Sequence, residues 1–501
     1  GLEPNTSYTF RANIETQSGS TYSGGYLTFT TAVNTTPTTT NGSWSDPENW
    51  ANGIVPSETD DVSIPSGTTL QIGDEVSEIK SLVNEGTIVI NPTFSLKTIT
   101  TMVNNGSIIM DSENDDSSVL FITGTATGNV VYKRGGLKAN KWSLVTPPVT
   151  GQKIQEFAVE PDNDIRVTTG LSPNQYAIGY YDDSESSGQK WKYYTTDVAP
   201  SETFIAGDSY SMSRATDGSV TFTGTLTTAN TSKTLNAGQW NPIGNPFTTY
   251  YPANKNSDTS FLNQNYDALD DGFKGIYMWD NNQNKFIPVS ELDLSSRSLT
   301  PGQGFFIKLK AGVTDVQFNE DKRTLKPNEG NTSFAKNNDL YVELALENND
   351  YQVKTAIKFY PNATFGFDTG YDIRNFDGAS FDLFSHLADN SSNDNYSIQS
   401  LPDTQIENSV IPLGLNMLST ENVKFAISAV NLPEGINVVI EDRLLRKDHI
   451  VSTENPFSPD FSEETTTKDR FFVHFKTTSA LSTETSELDN VNVFVNKRVL
   501  Y

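Results

Sequence analysis

Apolar and polar residues alternate along most of this chain, in runs of about 4–8 residues that end in Gly, Asn, Asp or Pro. Alternation with a period of two is typical of half-buried strands, and the residues that end each run favour turns. A helical period occurs in only two places, residues 152–159 and residues 260–268, where Asp258 or Thr259 is the predicted N-cap of the second helix. The pattern therefore predicts an all-β protein with two short helices.

Part of this pattern repeats. Residues 82–90 (LVNEGTIVI) align with residues 102–110 (MVNNGSIIM), so that Gly106 follows Gly86 by 106 − 86 = 20 residues. A strand–turn unit of this length cannot bury its own apolar face, so such units stack on one another. The repeat predicts a β-solenoid-like segment in which the two phrases pair in register as neighbouring rungs.

The repeat also assigns roles to single residues. Asn84 and Asn104 occupy equivalent positions, and we expect them to form a ladder through their side-chain amides. Gly86 and Gly106 are expected in turns that require a positive φ. These roles are architectural and carry no chemistry.

The chain is long enough for several modules. Its 501 residues exceed one ordinary hydrophobic core, and 35% hydrophobic with 11% aromatic residues can fill several. A Thr-rich stretch precedes the repeat, and a Ser/Thr/Glu-rich link precedes the last strand-like run. The sequence predicts five modules. Residues 41–134 form the solenoid-like one, and the others, of β-sandwich or jelly-roll-like type, are residues 1–33, 135–326, 338–476 and 488–501.

Composition and charge exclude several functions. Lys and Arg number 35 and Asp and Glu 62, so the net charge of 35 − 62 = −27 argues against nucleic-acid and anionic-membrane partners. Without cysteine there are no disulfides, thiolate metal sites or Cys nucleophiles. No apolar run approaches the roughly 18 residues of a membrane span. The first residues have neither Met nor a signal-peptide pattern and the last lie in a strand-like run, so we expect a fragment of a longer protein.

The first 50 residues contain two motifs with known counterparts. LEPNTSYTF at residues 2–10 resembles the last strands of a fibronectin type III domain, which implies that Tyr8 forms a tyrosine corner. GSWSDPENW at residues 42–50 resembles the opening of G8-like solenoid modules of secreted bacterial proteins. We expect Trp44 and Trp50 to plug the end of a sheet stack, and the alternative is stacking on sugar rings.

Two later phrases are the most informative in the chain. Residues 240–247 read WNPIGNPF and residues 299–307 read LTPGQGFFI. Both resemble fixed corners of a β-module found in large secreted and surface proteins of the Bacteroidetes phylum that are exported by the type IX secretion system. The resemblance implies that Asn245 and Gln303 tie these turns to backbone groups.

The C-terminal third adds to this resemblance. Residues 338–476 resemble the jelly-roll-like domain that commonly precedes a type IX sorting signal, and residues 488–501 resemble the first strand of that C-terminal sorting domain. In the resembled proteins the type IX translocon recognises this sorting domain after transport to the periplasm. The resemblance therefore implies the translocon and its sorting-domain receptor as partners. It also implies a secreted or cell-surface, outer membrane-associated location.

Candidate catalytic residues are few. Ser209, in Gly-Asp-Ser-Tyr, resembles a lipase-type block but has no Asp-x-x-His partner nearby. His386, His449 and His474 are far apart in the sequence and form no zinc-binding pattern. There is no nucleophile elbow and no phosphate-binding loop. We assign no catalytic or cofactor-binding residue, and we expect that the chain is not an enzyme.

Acidic loops and aromatic residues offer binding chemistry instead. Four acidic loops could bind Ca²⁺, and the alternative is that they are ordinary solvated turns. These loops are residues 111–116, 162–164, 182–185 and 267–271. One predicted hairpin could present a platform for carbohydrate, with burial as the alternative for its aromatic residues. These are Tyr180, Tyr181, Trp191, Tyr193 and Tyr194.

Together these patterns predict a non-catalytic C-terminal region of a large secreted or cell-surface protein, adhesin-like or structural, that is a type IX secretion substrate. The alternative is an accessory and sorting region of a secreted hydrolase whose catalytic domain lies upstream, with carbohydrate binding as its role. An extracellular polysaccharide or surface is a further expected partner. No nucleic acid, no membrane span and no cofactor other than Ca²⁺ are predicted.

Overall fold

A computed structural model of the chain confirms the all-β class, with several sheets and a solenoid-like stretch. The residues that the structure describes are 7–30, 34–73, 77–113, 116–186, 189–254, 260–293, 296–327, 340–417, 422–459, 467–477, 495–496 and 499–500.

The strands are short and separated by turns, as the alternating pattern predicts. The first are β1 Ser7–Phe10, β2 Asn13–Glu15, β3 Thr21–Ser23, β4 Leu27–Thr30, β5 Asn34–Thr35, β6 Asn41–Ser43, β7 Asp61–Ile64, β8 Thr69–Ile72, β9 Ser77–Asn84, β10 Thr87–Ile90, β11 Ser95–Asn104, β12 Ser107–Met110, β13 Ser112–Glu113, β14 Asp116–Ser117, β15 Val119–Ile122, β16 Thr125–Thr127 and β17 Asn129–Leu137. Next come β18 Trp142–Val145, β19 Val149–Thr150, β20 Val167–Thr168, β21 Gln175–Tyr181, β22 Trp191–Thr195, β23 Tyr210–Ser213, β24 Gly218–Leu226, β25 Thr231–Thr234, β26 Trp240–Gly244, β27 Tyr251–Pro252, β28 Gly275–Asp280, β29 Lys285–Ser290, β30 Ser298–Leu299, β31 Gly304–Lys308 and β32 Asp315–Phe318. The last are β33 Leu340–Glu347, β34 Gln352–Tyr360, β35 Ile373–Arg374, β36 Asp382–Ser385, β37 Tyr396–Pro402, β38 Val410–Asn416, β39 Lys424–Asn431, β40 Ile436–Asp442, β41 Lys447–Val451, β42 Thr467–Thr477, β43 Val495–Asn496 and β44 Val499–Leu500.

Two short α-helices lie inside the two predicted helical segments, α1 at Ile154–Val159 and α2 at Phe261–Asn265. Ser260 is the N-cap of α2, because its Oγ accepts a hydrogen bond of 3.0 Å from a backbone N–H of the first turn. The predicted caps Asp258 and Thr259 lie outside the described residues.

The chain divides into two compact units. Unit 1 consists of Gly1–Ala268 and Ser296–Thr332, and unit 2 of Leu269–Ser295 and Ser333–Tyr501. Unit 2 therefore includes the hairpin β28–β29, although this segment is flanked in the sequence by parts of unit 1. The two units are coarser than the modules predicted from the sequence, whose boundaries stay predictions.

Unit 1 contains the solenoid-like segment, in which successive strands alternate between two parallel sheets. One sheet has the order β15-β11-β9-β7-β5, and the other includes β17-β12-β10-β8-β6. Ile88 on β10 lies beside Ile108 on β12, and Leu82 on β9 lies beside Met102 on β11. The two repeated phrases are neighbouring rungs in register, so this prediction is confirmed.

Apolar side chains of successive rungs stack between the two sheets. Each side chain is buried, and burying one Ile or Leu contributes about 1.5–3 kcal/mol. Because a single rung has only a few such residues, the stacking of rungs supplies most of the stabilisation. Two columns run through β8, β10 and β12, one of Leu70, Ile88 and Ile108, the other of Ile72, Ile90 and Met110.

Asn84 and Asn104 form the predicted ladder. The Nδ2 of Asn84 donates to the Oδ1 of Asn104 at 2.7 Å and to the carbonyl of Ser107 at 3.1 Å. The Nδ2 of Asn104 donates in turn to the carbonyl of Asn129. Both side chains are buried, where an unpaired amide would be costly, so each rung satisfies the amide donors of its neighbour.

Gly86 and Gly106 are required because the space beside them is filled. Neither has a positive φ, so the predicted reason for glycine at these turns is wrong. A Cβ at Gly106 would lie 2.1 Å from the carbonyl oxygen of Gly86, and a Cβ at Gly86 would lie 2.5 Å from that of Thr68. The turns of successive rungs are nested so closely that only a residue without a side chain fits.

Trp44 and Trp50 form a buried pair beside the first rungs. Their side chains are 1% and 2% exposed, and their rings meet edge to face with centroids 5.0 Å apart. The Nε1 of Trp50 donates to the carbonyl of Trp44 at 2.7 Å. The predicted plug is confirmed, because neither ring has an open face on which a sugar could stack.

The opposite end of the solenoid is covered by the rest of unit 1. In one sheet β24 pairs antiparallel with β17, and β19 pairs with β24. At the edge of the other sheet, the N–H of Leu120 donates to the carbonyl of Thr248 at 3.1 Å, and the Oγ1 of Thr248 donates to the carbonyl of Leu120 at 2.8 Å. Tyr132 donates its buried hydroxyl to the carbonyl of Pro301 at 2.6 Å. Both sheet edges at this end therefore have hydrogen-bonding partners.

The remainder of unit 1 is made of small antiparallel sheets. One has the order β18-β23-β21-β20, with β22 beside β21, while β26 pairs with β31 and β25 with β32. Phe157 of α1 packs against Phe204 and Phe222, with ring centroids 5.0 and 4.8 Å away. Near the N-terminus β1 pairs antiparallel with β4, at the positions where strands are predicted.

Unit 2 is built on one large sheet with the order β39-β33-β34-β37-β36-β38-β42-β40-β41, with β35 beside β37. Most neighbours are antiparallel, while β34 and β37 are parallel. One cluster of buried Val, Leu, Ile and Phe side chains, including Leu344, Phe425 and Phe471, forms its core. The described strands between Leu340 and Thr477 thus belong to one sheet within unit 2.

The predicted sorting-domain strand lies mostly outside the described residues. Residues 478–494 are not described, and in residues 488–501 the structure gives only β43 and β44, which pair with each other. The sorting domain and the link before it therefore stay predictions.

Candidate functional site

The two informative phrases, residues 240–247 and 299–307, come together through the pairing of β26 with β31. The Nδ2 of Asn245 donates to a backbone carbonyl of its own turn at 2.6 Å, and its Oδ1 accepts a backbone N–H at 3.0 Å. The Oε1 of Gln303 accepts the N–H of Thr300 at 3.1 Å. Asn245 and Gln303 therefore tie turns to backbone as expected, and these corners are architectural.

Ser209 belongs to the same corner. Its side chain is buried and shares a hydrogen bond with the hydroxyl of Thr146. A Cβ at Gly304 would lie 2.5 Å from the Ser209 Oγ, so the hydroxyl is packed directly against β31. A nucleophile must be open to its substrate, and the closed surroundings of Ser209 give it a packing role instead.

The three histidines occupy separate positions in unit 2. The Nδ1 of His386 lies 3.0 Å from the carbonyl oxygen of Asp394, and the Nε2 of His474 lies 2.8 Å from a carboxylate oxygen of Glu441. His449 stacks on Phe457 with ring centroids 3.7 Å apart, and burial lowers the pKa of His449. Each imidazole therefore contacts different partners.

Lysines neutralise carboxylates in two of the acidic loops. In loop 111–116, Asp111 lies 3.0 Å from the Nζ of Lys133, and Asp116 lies 2.6 Å from that of Lys326. In loop 182–185, Glu185 pairs with a lysine of β22. These carboxylates already have cationic partners in the protein.

Asp183 in the second of these loops is tied more firmly. It accepts hydrogen bonds from the ammonium group of Lys190 and, at 2.9 Å, from the N–H of Trp240. Burial acts to raise the pKa of Asp183, but these hydrogen bonds outweigh it and hold the pKa below its usual value. Asp183 therefore anchors its loop as a carboxylate.

The other two acidic loops use their carboxylates to shape turns. Asp164 accepts a hydrogen bond from the hydroxyl of Thr216, and Asp270 accepts the N–H of Gly272 at 2.9 Å. Within the ranges that the structure describes, no group of three or more His, Asp or Glu side chains is arranged to share a metal ion. Ca²⁺ therefore stays a prediction without an assigned site.

Asp372 of unit 2 is a buried carboxyl group with a perturbed pKa. Its oxygens accept the N–H of Asp368 at 2.7 Å and that of Ser400 at 2.6 Å. Burial raises the pKa of Asp372 to about 7, helped by the charges of Asp368 and Asp389 and opposed by the two hydrogen bonds. Because the group is fully buried among protein partners, it bears on stability and has no access to a ligand.

Most aromatic residues of the predicted platform are packed into unit 1. β21 and β22 form the predicted hairpin. Tyr181 and Trp191 meet Phe306 edge to face, with centroids 4.9 and 6.0 Å away. Tyr194 packs near the buried Tyr210. For these residues the structure favours burial over an open platform.

Tyr193 instead faces an open cleft. Its ring lies 5.5 Å from that of Trp142 on β18, tilted by 46°. Trp142 is 38% exposed, and the cleft beside the two rings has a volume of about 220 Å³. Arg166, Thr168 and Gln175 are among the other residues that line it. Two aromatic residues and three residues whose side chains can form hydrogen bonds therefore border one open cleft.

Trp142 is the residue that the sequence pattern does not reveal as part of a site. Its own strand gives no sign of Tyr193, which lies on a different strand of the same sheet. Gly179 offers the one signal, because glycine inside a strand marks a close approach. A Cβ at Gly179 would lie 3.1 Å from the Tyr193 ring, so the glycine lets that ring lie across β21.

The fold is that of an all-β, multi-sheet protein with a solenoid-like stretch. Among the features described above, the cleft beside Trp142 and Tyr193 is the one open aromatic site. Residues 36–475 match a family described as a domain of unknown function, DUF8693. The chain belongs to this family. No curated protein and no solved structure matches the chain. None of the helices in the described ranges is long and apolar enough to span a membrane.

Proposed function

We propose that this chain is a non-catalytic, adhesin-like region of a secreted or cell-surface protein, and that its aromatic cleft binds an extracellular polysaccharide. The cleft formed by Trp142 and Tyr193 is the observation that supports this proposal most directly. The candidates for catalysis support it less directly, because Ser209 and the three histidines have packing or hydrogen-bonding roles.

The geometry of the cleft suits a sugar ring. The C–H groups of a pyranose can pack against the faces of two tilted aromatic rings, while its hydroxyls bond to polar side chains at the rim. Arg166, Thr168 and Gln175 supply donors and acceptors there. The net charge of −27 disfavours acidic polymers, so a neutral polysaccharide is the proposed ligand.

The proposal is tested by affinity gel electrophoresis of the chain in neutral polysaccharides of different linkage. Trp142→Ala removes one aromatic face, and we expect at least about tenfold weaker binding, which corresponds to about 1.4 kcal/mol. Tyr22→Ala is the matched control, because Tyr22 is 68% exposed and does not line the cleft. No retardation in any neutral polymer, or equal retardation of both variants, would contradict the cleft as the binding site.

Export by the type IX system is part of the proposal. It is supported by the order of motifs, with the phrases at 240–247 and 299–307 followed by the region 338–476 and the segment from 488 onward. The test fuses a reporter to the segment from Leu488 onward, together with whatever the gene encodes after it. The reporter should leave the cell only when the translocon is intact, and a reporter retained in the periplasm would refute export.

A second function is favoured by the same cleft. A polysaccharide-binding region can hold a hydrolase on its polymer, so the chain would then be the accessory and sorting region of an enzyme encoded upstream. The sequence that precedes Gly1 in the gene separates the two functions. A hydrolase domain there favours the accessory role, and further β-modules favour the adhesin.

A further inference from the structure

Unit 2 contains an ion pair that is almost completely removed from solvent. The Nζ of Lys285, the first residue of β29, contacts the Oδ1 of Asp382, the first residue of β36. The two side chains are 1% and 0% exposed. Lysine is almost never fully buried unless it is paired. Lys274 is similarly buried at 2%, but its partner Asp271 is 58% exposed, whereas both members of the Lys285–Asp382 pair are buried.

The carboxyl group of Asp382 is held in a fixed orientation. The backbone N–H of Leu383 donates to its Oδ1 at 2.8 Å, and the Nδ2 of Asn375 donates to its Oδ2 at 2.7 Å. Asn375 is itself oriented, because its Oδ1 accepts the hydroxyl of Ser397 at 2.7 Å. The amine therefore contacts a carboxyl group whose two oxygens both have further hydrogen-bond donors.

We propose that Lys285 and Asp382 condense to an intramolecular amide, an isopeptide bond that joins the hairpin β28–β29 to the large sheet of unit 2. Two opposite charges out of water are costly, and proton transfer from the ammonium to the carboxylate leaves a neutral amine beside a neutral acid. The free electron pair of the Lys285 Nζ then attacks the Cγ of Asp382. The C–N bond forms, and the bond from Cγ to Oδ1 breaks.

The ion pair contains every atom that the reaction needs. The ammonium group gives up two hydrogens, the carboxylate gives up Oδ1, and these leave together as one water. The positive and negative charges cancel, and no oxidant, reductant or co-reactant is required. Fixed proximity of the two groups raises the rate, as in other intramolecular reactions, where effective concentrations reach about 10⁵–10⁸ M.

Asn375 is the positioning residue for this step. Negative charge develops on Oδ2 when the amine adds to Cγ, and the Nδ2 of Asn375 already donates to that oxygen. The same hydrogen bond persists in the product, where Oδ2 is the amide carbonyl oxygen. The side chain of Asn375 is buried, so water does not compete for this position.

The cross-link would serve a chain that has no cysteine and so cannot form a disulfide. It would tie together two strands whose first residues are 97 positions apart. Unlike the ion pair, an amide survives denaturation, which makes the two states easy to distinguish.

Intact mass under denaturing conditions tests the proposal on the purified 501-residue chain. The expected mass is one water below that calculated from the sequence. Trypsin should not cut after Lys285, and one linked peptide should contain both Lys285 and Asp382. A full-length mass with no water lost overturns the proposal, and so does a water loss that peptide mapping places elsewhere.

Two variants serve as controls. Lys285→Arg keeps the charge but has no amine that can condense, so it should have its full calculated mass; loss of a water from this variant would overturn the assignment. Asn375→Ala keeps both reacting groups, and the fraction of linked chain at early times should fall severalfold. Because the bond can form only in the folded site, circular dichroism is recorded for both variants first, and the linked fraction is compared between preparations that are folded. Unchanged formation in Asn375→Ala would overturn the role given to Asn375.

Discussion

Replacing Gly106 with alanine tests the nested turns of the solenoid most directly. The added Cβ would lie 2.1 Å from the carbonyl oxygen of Gly86, whereas non-bonded carbon and oxygen atoms stay about 3.3 Å apart. The two turns must therefore separate by about 1 Å. The Cβ would also lie 2.6 and 2.9 Å from the carbonyl carbon and oxygen of Glu85. Because the backbone of Gly106 has no positive φ, these steric contacts, and not backbone strain, are the new cost at the site.

The cost can be worked out from the hydrogen bonds that cross this turn. The N–H groups of Asn105 and Gly106 both donate to the carbonyl of Asn84, at 2.8 and 3.0 Å, and that of Ser107 donates to the carbonyl of Gly86 at 2.8 Å. Each contributes about 1 kcal/mol, so weakening all three costs about 3 kcal/mol. Alanine gains about 0.4–1 kcal/mol by restricting the unfolded chain, which leaves a net loss of about 2–3 kcal/mol.

Urea unfolding of unit 1 measures this loss, and hydrogen exchange localises it. Gly25→Ala is the matched control, because an added Cβ there meets no atom within 4 Å and its φ is not positive. The midpoint for Gly106→Ala should fall clearly below that of the control, and the amides of residues 105–107 should exchange faster. Equal midpoints for the two variants, or unchanged exchange at these amides, would refute the explanation by nested turns.

Three further changes have defined outcomes. Asn84→Ala leaves the buried Oδ1 of Asn104 without its donor and should cost unit 1 about 1–3 kcal/mol in urea unfolding; no loss would contradict the ladder. Trp50→Ala should cost about 3–5 kcal/mol in the same assay, and Trp50→Phe much less, because only the first empties the plug; equal losses would contradict a packing role. Asp372 has a folded pKa of about 7 against an unfolded value of 3.8, so its contribution to stability is complete below about pH 4 and is lost as the pH rises through 7, by up to about 4 kcal/mol. Comparing unfolding free energies of wild type and Asp372→Asn across this range isolates the effect, and parallel pH profiles would contradict it.

The solenoid could be predicted from the sequence because its information is local and repeated. Once Ile88 and Ile108 fall at equivalent positions of a repeat, stacking fixes both the register and the buried face. The reason for glycine at Gly86 and Gly106 could not be predicted in the same way. It depends on the distance between neighbouring turns, which appears only after the rungs have stacked.

The other features could not be predicted because they depend on contacts between residues that are far apart in the sequence. The local sequence of β28 and β29 does not say which sheet this hairpin joins, and the contact of Lys285 with Asp382 bridges residues far apart in the sequence. The cleft shows the same limit. Tyr193 could be proposed from its hairpin, but Trp142 becomes its partner only through the folding of the sheet.

The covered end of the solenoid restricts how proteins of this design can vary in length. Because Thr248 occupies the edge at Leu120 and β24 occupies the edge at β17, a new rung cannot be added there without displacing both. A duplicated 20-residue unit could instead enter between existing rungs, where it would displace the covered end by about one strand spacing, 4.8 Å, and leave its contacts intact. Removing both β24 and the turn that contains Thr248 would instead expose two open edges that could pair with another molecule and begin a fibre. The solenoid can thus become longer by internal duplication, while the contacts that cover this end protect it against polymerisation.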